Sequence, residues 1–127
     1  ELAEGYRRLG RLQGSSLEAG GIGDTAAAKL SLEQAARLAE EAIAARPDAV
    51  DRLTLNMRIQ YQAEQNLRRR GEFAAADGPH ARLLALAEQT LRRFPDDADA
   101  QLGAAEAYSN LGVGRTGRKD DDGALAY

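Results

Sequence analysis

The chain has 127 residues, and its 17 Lys plus Arg against 20 Asp plus Glu give a formal charge of −3, which argues against nucleic acid as a partner. It contains no cysteine, so a disulfide framework and a thiolate metal site are both ruled out, and a reducing, cytoplasmic setting fits. Hydrophobic residues make up 43%, charged residues 29%, and no apolar run approaches a membrane span; with only three prolines this predicts one ordered, helical domain.

In chain order, the first segment, ELAEGYRRLGRLQG, carries Tyr6, Leu9 and Gly10 at helical spacing. SSLEAGGI follows, too glycine-rich for regular structure and longer than a tight helix-helix turn needs. GDTAAA then opens at Gly23, and Ala28, Leu32, Ala35, Ala39, Ala42 and Ile43 recur at steps of three and four. That spacing predicts an amphipathic helix over about Thr25 to Ala45, stopped by Pro47. Asp48 is placed to cap the next helix, whose apolar positions include Val50, Leu53, Met57, Tyr61 and Leu67. Arg68, Arg69, Arg70 and Gly71 close it, acid first and base last, as the helix dipole favours.

At Gly71 the chain restarts. GEFAAA repeats GDTAAA 48 residues on, and the register holds to Pro95-Asp96, with ten identities over the 29 positions from Gly23 to Asp51. The second copy sets His80, Leu83, Leu84, Ala87, Leu91 and Phe94 on one face and leaves Arg82, Glu88, Arg92 and Arg93 for solvent. Its Gly78-Pro79 pair is expected to interrupt the helix and start it afresh, because proline has no amide hydrogen. Leu38 and Leu86 stand at equivalent positions, with deep burial expected of the stripe Leu83, Leu84, Ala87 and Leu91. After Asp96, Asp97 and Asp99, a further helix runs through Leu102, Ala105, Tyr108 and Leu111 to Gly112. The units are roughly 1–46, 47–94 and 95–127, each an antiparallel helix pair, giving an all-α fold of about five helices and a truncated sixth. The chain opens on Glu1 without an initiator methionine and stops at GALAY, so a fragment of a larger protein is expected.

Three stretches invite a chemical reading and fail it. GGIGD lacks both the Gly-Lys-Ser/Thr ending of a phosphate loop and a preceding strand, and reads as a connector. KDDDG would need an acid at Arg118 and a closing glutamate beyond Tyr127 to bind calcium, and reads as a helix start. His80 is the single histidine, lies on the apolar stripe and has no acid-base partner at recognisable spacing; an enzyme built on it would need a nearby carboxylate in a polar pocket. No catalytic residue, metal ligand or cofactor site is therefore assigned, and the chain is expected not to be an enzyme.

Tyr6-x-x-Leu9-Gly10, then Gly23-Asp24 with Ala28 and Ala35, then a proline after the second helix, resembles the tetratricopeptide repeat (TPR). YSNLG followed by GRKDDDGALAY resembles it again, so nearly the whole chain is covered. The chain departs from the pattern at Glu64, where the first-helix glycine should be, and in its period of 48 against the family's usual 34 or so. LGRLQG, a loop, GDTAAA and a long Ala-rich helix resemble the repeat regions attached to bacterial serine/threonine protein kinases, although no nucleotide loop, His-Arg-Asp or Asp-Phe-Gly occurs. The resemblance implies an α-solenoid that serves as a protein- or peptide-binding scaffold arm of a signalling protein, with self-association, a homo-oligomer, as the rival role. It further implies that the first helix of each pair lines a concave groove. Arg7, Arg11, Arg58, Tyr61, Gln65 and Arg68 would share that groove and favour an acidic protein or peptide.

Overall fold

The computed structural model describes residues 2–14 and 24–117, with side chains described for 2–9 and 24–112. Among these residues every regular element is a helix: α1 Leu2–Gly14, α2 Thr25–Ala45, α3 Val50–Arg69, α4 Phe73–Arg93 and α5 Ala98–Gly117. Phe73, Arg93 and Ala98 each fall 48 residues after Thr25, Ala45 and Val50, so the sequence repeat is also a repeat of element boundaries. The glycine-rich connector, KDDDG and the expected sixth helix lie outside the described residues.

The helix ends follow from local chemistry. Asp24 caps α2, its Oδ1 accepting from the Ala27 amide at 2.8 Å. Gly71, at φ 77°, takes the left-handed conformation that ends α3, and the Glu72 and Gly71 amides return to the carbonyls of Leu67 and Arg68 at 2.9 and 3.0 Å. That is a Schellman closure, which only a residue without Cβ strain makes at low cost. The expected cap at Asp48 is not used, because α3 begins one position later on Ala49, which has no capping side chain. At the equivalent place in the second copy stands Asp97, and its Oδ1 does accept from the Ala100 amide at 2.9 Å.

The expected break at Gly78-Pro79 does not occur, since α4 runs unbroken from Phe73 to Arg93 with Pro79 inside it. The proline withholds one helical hydrogen bond from the Ala75 carbonyl, but Ala75 is exposed, so the loss falls at the solvent side of the helix and not in the core. Gly78, also exposed, removes the Cβ that would clash with the proline ring. The helix absorbs both effects and keeps its register with α2.

Short connections of three or four residues turn each of the last four helices back along its neighbour. Arg52 near the start of α3 donates to the Ala42 carbonyl near the end of α2 at 2.6 Å. Asn66 near the end of α3 donates to the Thr25 carbonyl at the start of α2 at 3.0 Å, so the two helices are antiparallel. Each helix packs on the next in sequence, and α3 also packs on both α1 and α5. Two cores result. The larger joins Ile43, Leu53, Met57, Leu83, Leu86 and Leu111 of α2 to α5; the smaller joins Ala3, Ala35, Ala39 and Ile59 of α1 to α3.

Two assigned faces need correction. Leu86 is fully buried with Leu83 and Ala87, whereas Leu84 and Leu91 are only half-buried against that core. On α5, Leu102 is 68% exposed and Ala105 is exposed, while Ala100, Ala104, Ala107 and Leu111 turn inward. Gly103 lies on the inward face, so close to the Thr54 side chain of α3 that there is no room for a Cβ, and this seating goes with the rotation that brings the alanines of α5, not Leu102, against α3.

Candidate functional site

The first helices α1, α3 and α5 form one row, and Glu106 of α5 marks where they converge. Its carboxylate lies 3.7 Å from Arg58 of α3, and its charge also reaches Arg7 of α1. Arg7 is held mainly by Glu4, at 2.5 and 2.9 Å, and Arg8 adds a third bond at 3.0 Å; together they lower the Glu4 carboxyl to about 2. Tyr61 is half-buried against the larger core and Gln65 is half-buried beside it along α3. Of the six residues expected in the groove, Arg58 therefore lies beside Glu106, while Arg7 is bound to Glu4 within α1 and feels Glu106 only as a more distant charge. Arg68 pairs instead with Glu64 one turn back on α3, and the Arg11 side chain lies outside the described residues. Arg7, Arg58 and Arg68 each have a carboxylate partner within the chain.

Arg68 leads to the least expected cluster. Glu64, at the position where the repeat pattern calls for glycine, is fully buried, and its Oε2 accepts from both Arg68 and His80. The His80 Nδ1 contact measures 2.9 Å, with Nδ1–H donating because a carboxylate can only accept. The imidazole thus has an acid partner 16 residues away across the α3–α4 contact, which spacing within one helix does not reveal. Glu64 Oε1 has no partner. The triad staples α3 to α4: a buried carboxylate is tolerated only when paired, and here both an arginine and a histidine pair it.

On the opposite side, α2 and α4 do not pack on each other, and α3 forms the floor between them. Polar links span the gap: Lys29 to Glu72 at 3.0 Å, Arg82 to both Glu40 oxygens at 2.6 and 2.7 Å, and Arg93 to the Pro47 carbonyl at 2.7 Å. Arg82 lowers the Glu40 carboxyl, and the Asn56 amide adds to this although its nitrogen closes no hydrogen bond of ordinary geometry. Arg70 first and Lys29 second lower that of Glu72. Between these links lies a cleft of about 330 Å³. Leu32, Ala36, Ala63 and Leu67 give it an apolar wall, and Lys29, Gln60 and Asn66 lend it polar atoms. None of these residues stood out in the sequence except as members of an apolar stripe.

A second, smaller cavity of about 10 Å³ lies between α3 and α5 beside Arg58 and Glu106, and neither cleft is lined by His80. No group of three or more His, Asp or Glu side chains is placed to hold a metal among the described residues, and none of their helices is long and apolar enough to cross a membrane. No family model, no curated protein and no solved structure matches this chain.

Proposed function

We propose that the chain is a tetratricopeptide-type repeat region that binds protein or peptide segments, as the non-catalytic arm of a larger, kinase-containing bacterial signalling protein. The observation that carries this reading is the row of first helices, in which α3 packs on both α1 and α5, Arg58 of α3 pairs with Glu106 of α5, and α3 and α5 share the 48-residue register of the repeat. Stacked helix pairs present an extended surface for recognition and bring no reacting groups of their own. The ligand face in this reading is Arg7, Arg11, Arg58, Tyr61, Gln65 and Arg68, with Tyr61 as apolar anchor. An acidic segment would compete with Glu106 for Arg58, whose side chain is 51% exposed, rather than with the buried Glu64 for Arg68.

The test is a titration of acidic and basic peptide pools against the wild type and against Arg58→Glu, followed by light scattering over a concentration series. Preferential binding of the acidic pool, weakened by salt and lost in the variant, is expected, because exposed pairs are screened beyond about 8 Å at physiological ionic strength. Equal binding of both pools ends the acidic-ligand reading. A mass that doubles with concentration while neither pool binds favours self-association instead.

A further inference from the structure

We propose that a second copy of this chain docks head to tail, the outer face of its α1 seating on the outer face of α5. The proposal goes beyond the peptide-binding reading and stands whether or not that reading holds. Within one chain α5 already rests on α3 and α4. Gly103 lies on Thr54, Glu106 lies beside Arg58, and Ala107 and Asn110 line the small cavity between α3 and α5. The 48-residue register carries Thr54 and Arg58 of that seat onto Leu102 and Glu106 of α5. Leu102 is 68% exposed and the Glu106 side chain 47%, so the seat is presented a second time and stands open among the described residues.

The docking face recurs at the other end of the chain. Tyr6, Leu9 and Gly10 precede Tyr108, Leu111 and Gly112 by 102 residues, and this register carries Ala104, Ala107 and Leu111 back onto Leu2, Gly5 and Leu9. In α5 the three are buried, because α3 and α4 lie beneath them. In α1 their counterparts are open: Leu2 is 63% and Leu9 44% exposed, and a Cβ added at Gly5 meets nothing within 4 Å. Three of the five exposed large hydrophobic side chains among the described residues, Leu2, Leu9 and Leu102, thus fall on these two faces.

Size and charge choose a second copy as the occupant. Leu102 is larger than Thr54, whose place it takes in the seat, and Gly5 is smaller than Ala107, whose place it takes in the docking face. Bulk on one side therefore meets open space on the other. Arg8 stands where Asn110 does, with its side chain 76% exposed, and Glu106 stands where Arg58 does, so an arginine faces a glutamate across the contact. Glu4, at the place of the docking Glu106, is already paired with Arg7 and Arg8. Two unlike faces of one chain that fit each other make a heterologous contact. The part of the seat that α4 supplies corresponds to residues from 121 on, outside the described residues, so the test is placed on α1 and α5.

Sedimentation of the full chain over a concentration series is expected to show the wild-type mass rising above that of one chain. Leu102→Asp spoils the seat and Gly5→Glu the docking face, and each variant alone is expected to stay a single chain. Both positions are exposed, so both variants are expected to keep a cooperative thermal transition. Mixed one to one, the two variants are expected to associate again, because each retains the face that the other lacks. A wild type that stays a single chain up to millimolar concentration, a folded variant that associates by itself as the wild type does, or a mixture no heavier than its components overturns the proposal. A second measurement leaves both faces nearly intact. The chain has no cysteine, so Gly5→Cys and Leu102→Cys each place one thiol, on opposite faces. Their mixture is expected to oxidise to the mixed dimer several-fold faster than either variant pairs with itself, and equal rates overturn the proposal.

Discussion

A Cβ added at Gly103 would lie 2.4 Å from Thr54 Cγ2 and 3.3 Å from its Cβ, whereas one added at Gly5 meets nothing within 4 Å. Both glycines sit inside helices, where alanine is intrinsically better by about 1 kcal/mol, so the two sites separate packing from propensity. Gly5→Ala is expected to raise stability by up to about 1 kcal/mol. Gly103→Ala is expected to lower it by about 1–3 kcal/mol through overpacking, net of the same propensity gain. Thr54→Ser removes the offending methyl and should recover much of the Gly103→Ala loss without helping the wild type. Denaturant unfolding of the four variants measures this, and a neutral Gly103→Ala would mean that α5 can slide off α3 without cost.

Between elements, α2 and α4 stand apart in backbone and are linked across the gap by polar side chains as well as through the larger core. The Glu40–Arg82 pair joins them with two bonds, but its side chains are 40% and 36% exposed, so its coupling in a double-mutant cycle is expected to reach at most about 1 kcal/mol. Its pH dependence has a definite sign. Glu40 titrates below its ordinary 4.5 in the folded chain, so the stabilisation is complete above that value and is lost as pH falls through the lowered one. The stability difference between wild type and Glu40→Gln should therefore shrink on acidification from neutral pH. The Glu4 pairs within α1, whose carboxyl titrates at about 2, should persist to lower pH. Thermal unfolding across a pH series reads both, and a difference that grows toward acid would contradict the pairing.

Over the whole molecule, the larger core gathers residues from α2, α3, α4 and α5, while α1 is attached through the smaller core of Ala3, Ala35, Ala39 and Ile59. Leu86 is 0% exposed within the larger core and Leu91 only borders it. Leu86→Ala is thus expected to cost about 2–5 kcal/mol and to lower a single transition shared by α2 to α5, with Leu91→Ala costing no more than about half as much. The reverse order would show that the stripe drawn through Leu84 and Leu91 is the true core face after all.

Periodicity alone determined the helical content, the bounds Thr25–Ala45, and the 48-residue restart that the element boundaries reproduce. These are local matters: apolar residues at steps of three and four, an aspartate cap, and a glycine at positive φ act within a turn or two of chain. What the sequence could not fix is rotation, because a helical stripe is wider than the contact it makes. Tertiary packing, with Gly103 seated on the Thr54 side chain, turned Leu102 outward, and packing likewise chose Leu86 over Leu84. Pro79 misled for a related reason, since its cost in a helix depends on where the deprived carbonyl lies, and Ala75 is an exposed residue outside the core. The candidate sites were legible in part: the Glu64 departure was visible as a broken pattern, but its partner His80 is 16 residues away on another helix. The cleft around Asn66 exists because two parallel helices 48 residues apart in register stand off from each other, a distance that no spacing along one strand of sequence records.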